Sequence, residues 1–89
     1  VYAKEIVSIE DNAFAGCTKM KTLIIASTKL QMIGTEAFKD SGLQDIIYYG
    51  TKAQFSQIKW AMTDENGQPA KNGITVTIHC IDETFEANI

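Results

Sequence analysis

The sequence predicts an α/β fold in which short repeats stack, with parallel strands that alternate with short helical turns. Three observations lead to this prediction. An apolar pattern in the first half recurs at a nearly fixed interval, glycines follow the predicted turns, and a strictly alternating segment lies near the C-terminus. Because a stack of repeats needs an atypical unit at its end, we expect a helix-plus-strand cap after the second repeat.

The repeat is defined by seven pairs of apolar residues that keep their phase along the chain. At an interval of 24, Ile6-x-x-Ile9-x-x-x-Ala13-Phe14 recurs as Leu30-x-x-Ile33-x-x-x-Ala37-Phe38. At an interval of 23, Met20-x-x-Leu23-x-Ile25 recurs as Leu43-x-x-Ile46-x-Tyr48. This spacing and period fit the strand segment of a leucine-rich repeat. The change of interval from 24 to 23 falls in the turn that links the two patterns.

Each repeat is expected to place a phenylalanine in the core from about one helical turn. Asp11 and Thr35 are favourable N-cap residues for the turns that follow them. Gly16 and Gly42 come after these turns and are expected to supply the positive φ at which the chain leaves each turn. Each repeat is therefore predicted to contain a helical turn, a tight turn at glycine and a short strand.

The segment after the second repeat is expected to form the cap. Thr51 and Gln54 make a capping-box pattern, which predicts a helix over residues 52–61. Phe55, Ile58 and Met62 would share one face of that helix. A polar loop is predicted over residues 63–73, which contain two Asn-Gly pairs.

The clearest predicted strand covers residues 74–80, where Ile74, Val76, Ile78 and Cys80 alternate with polar residues. The pattern after it leaves three alternatives open: a linker, a frayed tail or an edge strand. We therefore predict one repeat domain and a short terminal segment, with the following bounds: domain 1–80, repeats about 6–28 and 29–50, cap 51–80, and tail or linker 81–89.

Composition and residue inventory argue against several functions. Eleven acidic residues outnumber eight basic residues, all lysines, so nucleic acid is not an expected partner. Apolar stretches of at most four residues argue against membrane insertion. His79 and Cys80 are adjacent on a strand and would point to opposite faces, so no catalytic dyad is expected, and no metal or cofactor site. Two cysteines are too few for a disulfide scaffold, and we expect them to act as small buried apolar residues, the alternative being a single bridge between Cys17 and Cys80.

Residues 9–25 resemble the repeat of the BspA-like leucine-rich repeat proteins, which runs I-G-x-x-A-F-x-G-C-x-x-L-x-x-I-x-I-P. Residues 33–43 resemble the shorter S-G-L variant of that repeat, and residues 48–55 and 74–80 resemble the segment that closes many such arrays. The resemblance implies a short right-handed leucine-rich-repeat solenoid from a bacterial surface or secreted protein, with an extracellular role in adhesion or protein binding rather than catalysis.

One side of the predicted strands is expected to face outward, and apolar residues there tend to mark contact sites. We call five of these residues the strand face: Ile24, Ile47, Tyr49, Thr77 and His79. The hypothesis is that the strand face, with Tyr49 as anchor, binds a protein or glycan on a host or neighbouring cell. The alternative is that other parts of the protein cover these residues, and that the module is a structural spacer or assembly module without a ligand of its own.

Two repeats and a cap fall below the roughly three units that a stable stack usually needs. Two alternatives follow: residues 1–9 form an N-terminal cap, or the open N-terminal coil pairs with another molecule, because exposed parallel edges invite association. Since the chain starts with Val1 rather than methionine, we also expect it to be a C-terminal excerpt of a longer adhesion protein.

Overall fold

The computed structural model describes residues 2–3, 5–61 and 72–89 of the 89-residue chain. The described residues contain eight strands and one short helix. In chain order these elements are β1 (Tyr2–Ala3), β2 (Ser8–Ile9), β3 (Thr22–Ile25), β4 (Met32–Ile33), β5 (Asp45–Tyr48), α1 (Lys52–Phe55), β6 (Lys59–Trp60), β7 (Thr75–His79) and β8 (Thr84–Asn88). The fold is therefore a strand-rich α/β arrangement.

The first sheet has the strand order β1-β3-β5-β7-β8, and its first four strands are parallel. Leu23 pairs with Ile46, and Ile46 pairs with Ile78, so one apolar residue from each strand lies in a single row. All three side chains are fully buried. The predicted inward positions of the strands are confirmed, because successive strand side chains alternate between the core and the outer face.

The second sheet contains the shorter strands β2, β4 and β6, which are also parallel. Its inward row consists of Ile9, Ile33 and Trp60. The first two side chains are buried and the tryptophan is half-buried. Each repeat thus contributes one strand to each sheet, and the core lies between the two sheets and the connecting turns.

The turns before β3 and β5 are not regular helices, which corrects the sequence-based expectation. The φ of Asn12 is 58° and that of Glu36 is 53°, a conformation that a right-handed helix excludes. The side chain of Asp11 accepts the N–H of Thr35 at 2.7 Å, so it bonds to the neighbouring repeat instead of capping its own turn. Stacking between repeats decides this geometry.

The two turns are joined by main-chain hydrogen bonds that resemble a strand ladder. Three N–H groups of the first turn donate to carbonyls of the second at 2.8–2.9 Å: Asn12 to Thr35, Phe14 to Ala37, and Gly16 to Lys39. The rings of Phe14 and Phe38 stack with centroids 5.9 Å apart. The predicted phenylalanine positions are therefore correct, although Phe14 is only half-buried.

The two glycines after the turns have different roles. Gly16 has a φ of 74°, which confirms its predicted left-handed conformation. The same prediction is wrong for Gly42, because the left-handed position in the second turn is Asp40, with a φ of 57°. At Gly42 a Cβ atom would overlap the main-chain oxygen of Thr18. Glycine is required there because two repeats approach closely, which no local pattern reveals.

Asn72 ends the ladder of turns. Its side-chain oxygen accepts the N–H of Phe38 at 3.1 Å. In the first turn the equivalent N–H, that of Phe14, donates to the carbonyl of Ala37 in the second repeat. Its amide nitrogen donates to the main-chain oxygen of Ile89 at 2.6 Å. Asn72 is 8% exposed, and its buried amide replaces the carbonyl of a further turn.

The predicted capping box is confirmed, but the predicted helix over residues 52–61 is wrong. Thr51 accepts the N–H of Gln54 at 3.1 Å, and the Gln54 side chain accepts the N–H of Thr51 at 2.8 Å. The helix nevertheless ends at Phe55. The N–H groups of Lys59 and Ala61 donate to carbonyls of Gln31 and Ile33 instead. Pairing with the open edge of β4 outweighs the helical spacing of the apolar residues. Met62 lies outside the described residues, as does most of the predicted loop over 63–73.

Residues 81–89 contain the edge strand, one of the three alternatives that the sequence leaves open. Strand β8 pairs antiparallel with β7 over five residues, and Ile78 lies opposite Phe85. The turn between these strands is joined to α1, because the N–H of Lys52 donates to Asp82 at 3.0 Å and its ammonium group lies 3.3 Å from Glu83. The hairpin therefore completes the first sheet.

Candidate functional site

The strand face lies on the outer side of the first sheet. The register places Ile24 beside Ile47, and Ile47 beside His79. Thr77 lies in the neighbouring row, opposite Asp45. Because the residues between them in sequence point into the core, these side chains form one surface across three parallel strands.

Exposure differs along the strand face. Tyr49 is 51% exposed, whereas the other four residues are half-buried. Ile81, which is 71% exposed, follows the neighbouring strand, and its N–H donates to the carbonyl of Gly50 at 2.9 Å. Sequence reasoning missed Ile81, since the terminal segment had no assigned conformation. The most accessible apolar part of the surface therefore lies where β5 and β7 end.

A polar pair, His79 with Asp45, lies at the side of the apolar residues of the strand face. Nε2 of His79 is 2.9 Å from Oδ1 of Asp45, and the two side chains are 41% and 39% exposed. The alternation of β5 and β7 places both residues outward, but only the strand register brings them together. The pair holds the imidazole against the sheet and presents a hydrogen-bonding group beside Ile47, while threonines occupy the other neighbouring register positions.

Cys80 lies apart from this pair and packs against the core. Burial raises the pKa of its thiol, and the nearby carboxylates of Asp82 and Glu83 raise it further. A raised pKa keeps the thiol protonated at neutral pH, which is the opposite of nucleophile activation. Cys17 is exposed in the first turn, so the expectation that it is buried is wrong. Both cysteines are unbridged.

Residues 2–3, 5–61 and 72–89 contain neither a metal-binding cluster nor a membrane-spanning helix. No cluster of three or more His, Cys, Asp or Glu side chains is arranged there to hold a metal ion. No helix in that part of the chain has the length and apolar character of a membrane span. The arrangement of the strand face suits non-covalent contact with a partner molecule.

Comparison with known families identifies a repeat family that covers most of the chain. The profile described as "BspA type Leucine rich repeat region (6 copies)" matches residues 1–62, which include both repeats and the short helix α1. Neither the comparison with curated proteins nor that with solved structures gives a significant match.

Proposed function

Because the chain belongs to the BspA-type leucine-rich repeat family, we propose that it is a non-catalytic module of a bacterial surface protein that binds a protein or glycan. Leucine-rich repeats of this family serve as protein-binding or structural modules. We place the proposed adhesion-type ligand on a host or neighbouring cell, and we propose that the module acts outside the bacterial cell.

The observation that carries this proposal is the exposed ring of Tyr49 beside a row of apolar residues. Ile24 and Ile47 occupy paired positions and are half-buried, so part of each side chain adds to the apolar surface beside the ring. Tyrosine contributes a large rigid contact area and a hydroxyl group, and it is enriched among residues that dominate binding energy. His79 and Thr77 supply hydrogen-bonding groups at the side of this apolar area.

For the architecture we propose a short right-handed solenoid with repeats over about 6–28 and 29–50 and a cap over 51–80. The parallel register of both sheets supports this proposal. We further propose that the N-terminal end of the stack can associate with a second molecule. Ala13 and Phe14 are more exposed than Ala37 and Phe38, their buried counterparts in the second repeat, so one side of the first repeat has apolar surface to bury.

The experiment is surface binding of the purified chain to a panel of matrix proteins and glycans. A Tyr49→Ala variant removes the ring, and a Tyr49→Phe variant keeps the ring without its hydroxyl group. If the ring is the anchor, Tyr49→Ala weakens binding roughly 30-fold, the effect of losing a dominant contact, while Tyr49→Phe stays close to the parent chain. Thermal melts of all three proteins verify equal folding.

The outcomes separate the alternatives. Binding that Tyr49→Ala retains would refute the strand face as the site. If the parent chain binds nothing on the panel, the spacer or assembly role becomes the better interpretation. Light scattering at increasing protein concentration tests association through the N-terminal end, and a concentration-independent monomer would exclude it.

A further inference from the structure

A second surface lies on the outer side of the second sheet. An open groove of about 790 Å³ runs along β2, β4 and the segment after α1. Its apolar part is unusual for an outer surface, because Val7 is 52% exposed and Met32 is 50% exposed. The volume falls within the roughly 300–1,000 Å³ of small binding sites.

The charge of this groove is opposite to that of the whole chain. Among the described residues, the ionisable side chains that line it are those of Lys29 and Lys59, whereas the chain carries a net charge of −3. Among the described residues neither lysine forms an ion pair, whereas Lys39 and Lys52 each lie beside a glutamate. Within residues 2–3, 5–61 and 72–89 no carboxylate pairs with the two groove lysines, so both can pair with a carboxylate from another molecule.

The strand register gives the groove a direction. Ser8, Met32 and Lys59 occupy adjacent positions on β2, β4 and β6, one strand spacing of about 4.8 Å apart. At the β2 end the hydroxyl of Ser8 donates to the carboxylate of Glu10 at 3.2 Å. A ligand carboxylate would thus be attracted toward the lysine end, with an apolar side chain against Met32.

The main chain along the groove is already hydrogen-bonded within the stack. The N–H of Gln31 donates to Val7 at 2.7 Å, and the N–H of Lys59 donates to Gln31 at 2.9 Å. The central strand β4 is therefore paired on both sides, and recognition above it would depend on side chains.

We propose that this groove is a second binding site, separate from the strand face, for an extended acidic peptide segment. An apolar side chain of the peptide packs on Met32 and Val7, and a carboxylate near it in sequence pairs with Lys59 and Lys29. The site requires both features, because exposed ion pairs alone contribute little to affinity.

The test uses fluorescence anisotropy with a rhodamine-labelled, N-acetylated peptide of sequence Gly-Leu-Glu-Gly-Leu-Glu-Gly. Matched peptides replace the leucines by serine or the glutamates by glutamine. The binding partner is the full chain, alongside a Lys29→Glu/Lys59→Glu double variant and a Lys19→Glu control, which changes an exposed lysine in the first turn. We expect the double variant to bind about tenfold more weakly and the control to change affinity less than about twofold. Both substituted peptides should bind more weakly than the parent peptide.

Amide chemical shifts in a labelled sample locate the site independently of the variants. Peptide-induced shifts at residues 29–32 and 57–59, with little change at 45–49 and 77–79, would support the groove and separate it from the strand face. No binding of the parent peptide, equal loss in the Lys19→Glu control, or unchanged affinity of the serine peptide would each overturn the proposal. Self-association of the chain that the peptide reverses would identify a second copy as the occupant and overturn it as well.

Discussion

Replacement of Asn72 by alanine should destabilise the protein far more than its place beside a polar loop suggests. The substitution leaves the buried N–H of Phe38 without an acceptor, which costs about 1–3 kcal/mol. It also removes the side-chain bond to Ile89, worth about 1 kcal/mol. The main-chain N–H of Asn72 still donates to the same oxygen at 2.8 Å, so that acceptor keeps one partner. We therefore expect a loss of about 2–4 kcal/mol in the free energy of unfolding.

The assay is urea unfolding followed by the fluorescence of Trp60, the single tryptophan, whose ring centroid lies 6.3 Å from that of Phe38. For a domain of this size the expected loss corresponds to a fall in Tm of roughly 10–30 °C. The matched control is Asn88→Ala, which removes an exposed side-chain bond to Thr75 at the same end of the sheet. A difference between the two variants of less than about 0.5 kcal/mol would refute the role of Asn72 as the end of the ladder.

Two further predictions follow from local geometry. Gly42→Ala should lower the free energy of unfolding by about 2–3 kcal/mol, because the added Cβ would overlap the main chain of Thr18. Gly16→Ala should lower it by about 1 kcal/mol, because only the φ of that position is unfavourable. Equal losses of the two variants in urea unfolding would contradict this difference. At pH 8 iodoacetamide should alkylate Cys17 well before Cys80, because Cys17 is exposed and the raised pKa of the half-buried Cys80 lowers its thiolate fraction. Peptide mass spectrometry measures both rates, and faster reaction of Cys80 would contradict the burial of its thiol.

Local patterns identified the repeating units and their buried positions. The spacing of Leu23 and Ile25, and of Ile46 and Tyr48, is enough to assign their side to the core, since strand side chains alternate with a period of two. The same alternation placed His79 outward and Cys80 inward. The family of the chain was also accessible at this level, because the Ala-Phe-x-Gly-Cys spacing is a linear feature of the sequence.

The sequence did not reveal contacts between residues that are distant along the chain. The spacing after Thr51 is compatible with a helix, yet residues 59–60 become a strand because β4 offers an unpaired edge. His79 and Asp45 are 34 positions apart in sequence, and the bond between them depends on the register of β5 and β7.

The sequence by itself thus determined the repeat, its alternating faces and its family, because each is a local property of spacing and side-chain direction. Only the tertiary structure decided where the stack ends and which surfaces stay open. Asn72 completes the ladder of turns because it meets Phe38 from the neighbouring unit. Lys59 joins Met32 on an outer surface because β6 pairs with β4. Both outcomes depend on which hydrogen-bonding groups remain unpaired after the repeats have stacked, and that is a property of the assembled chain.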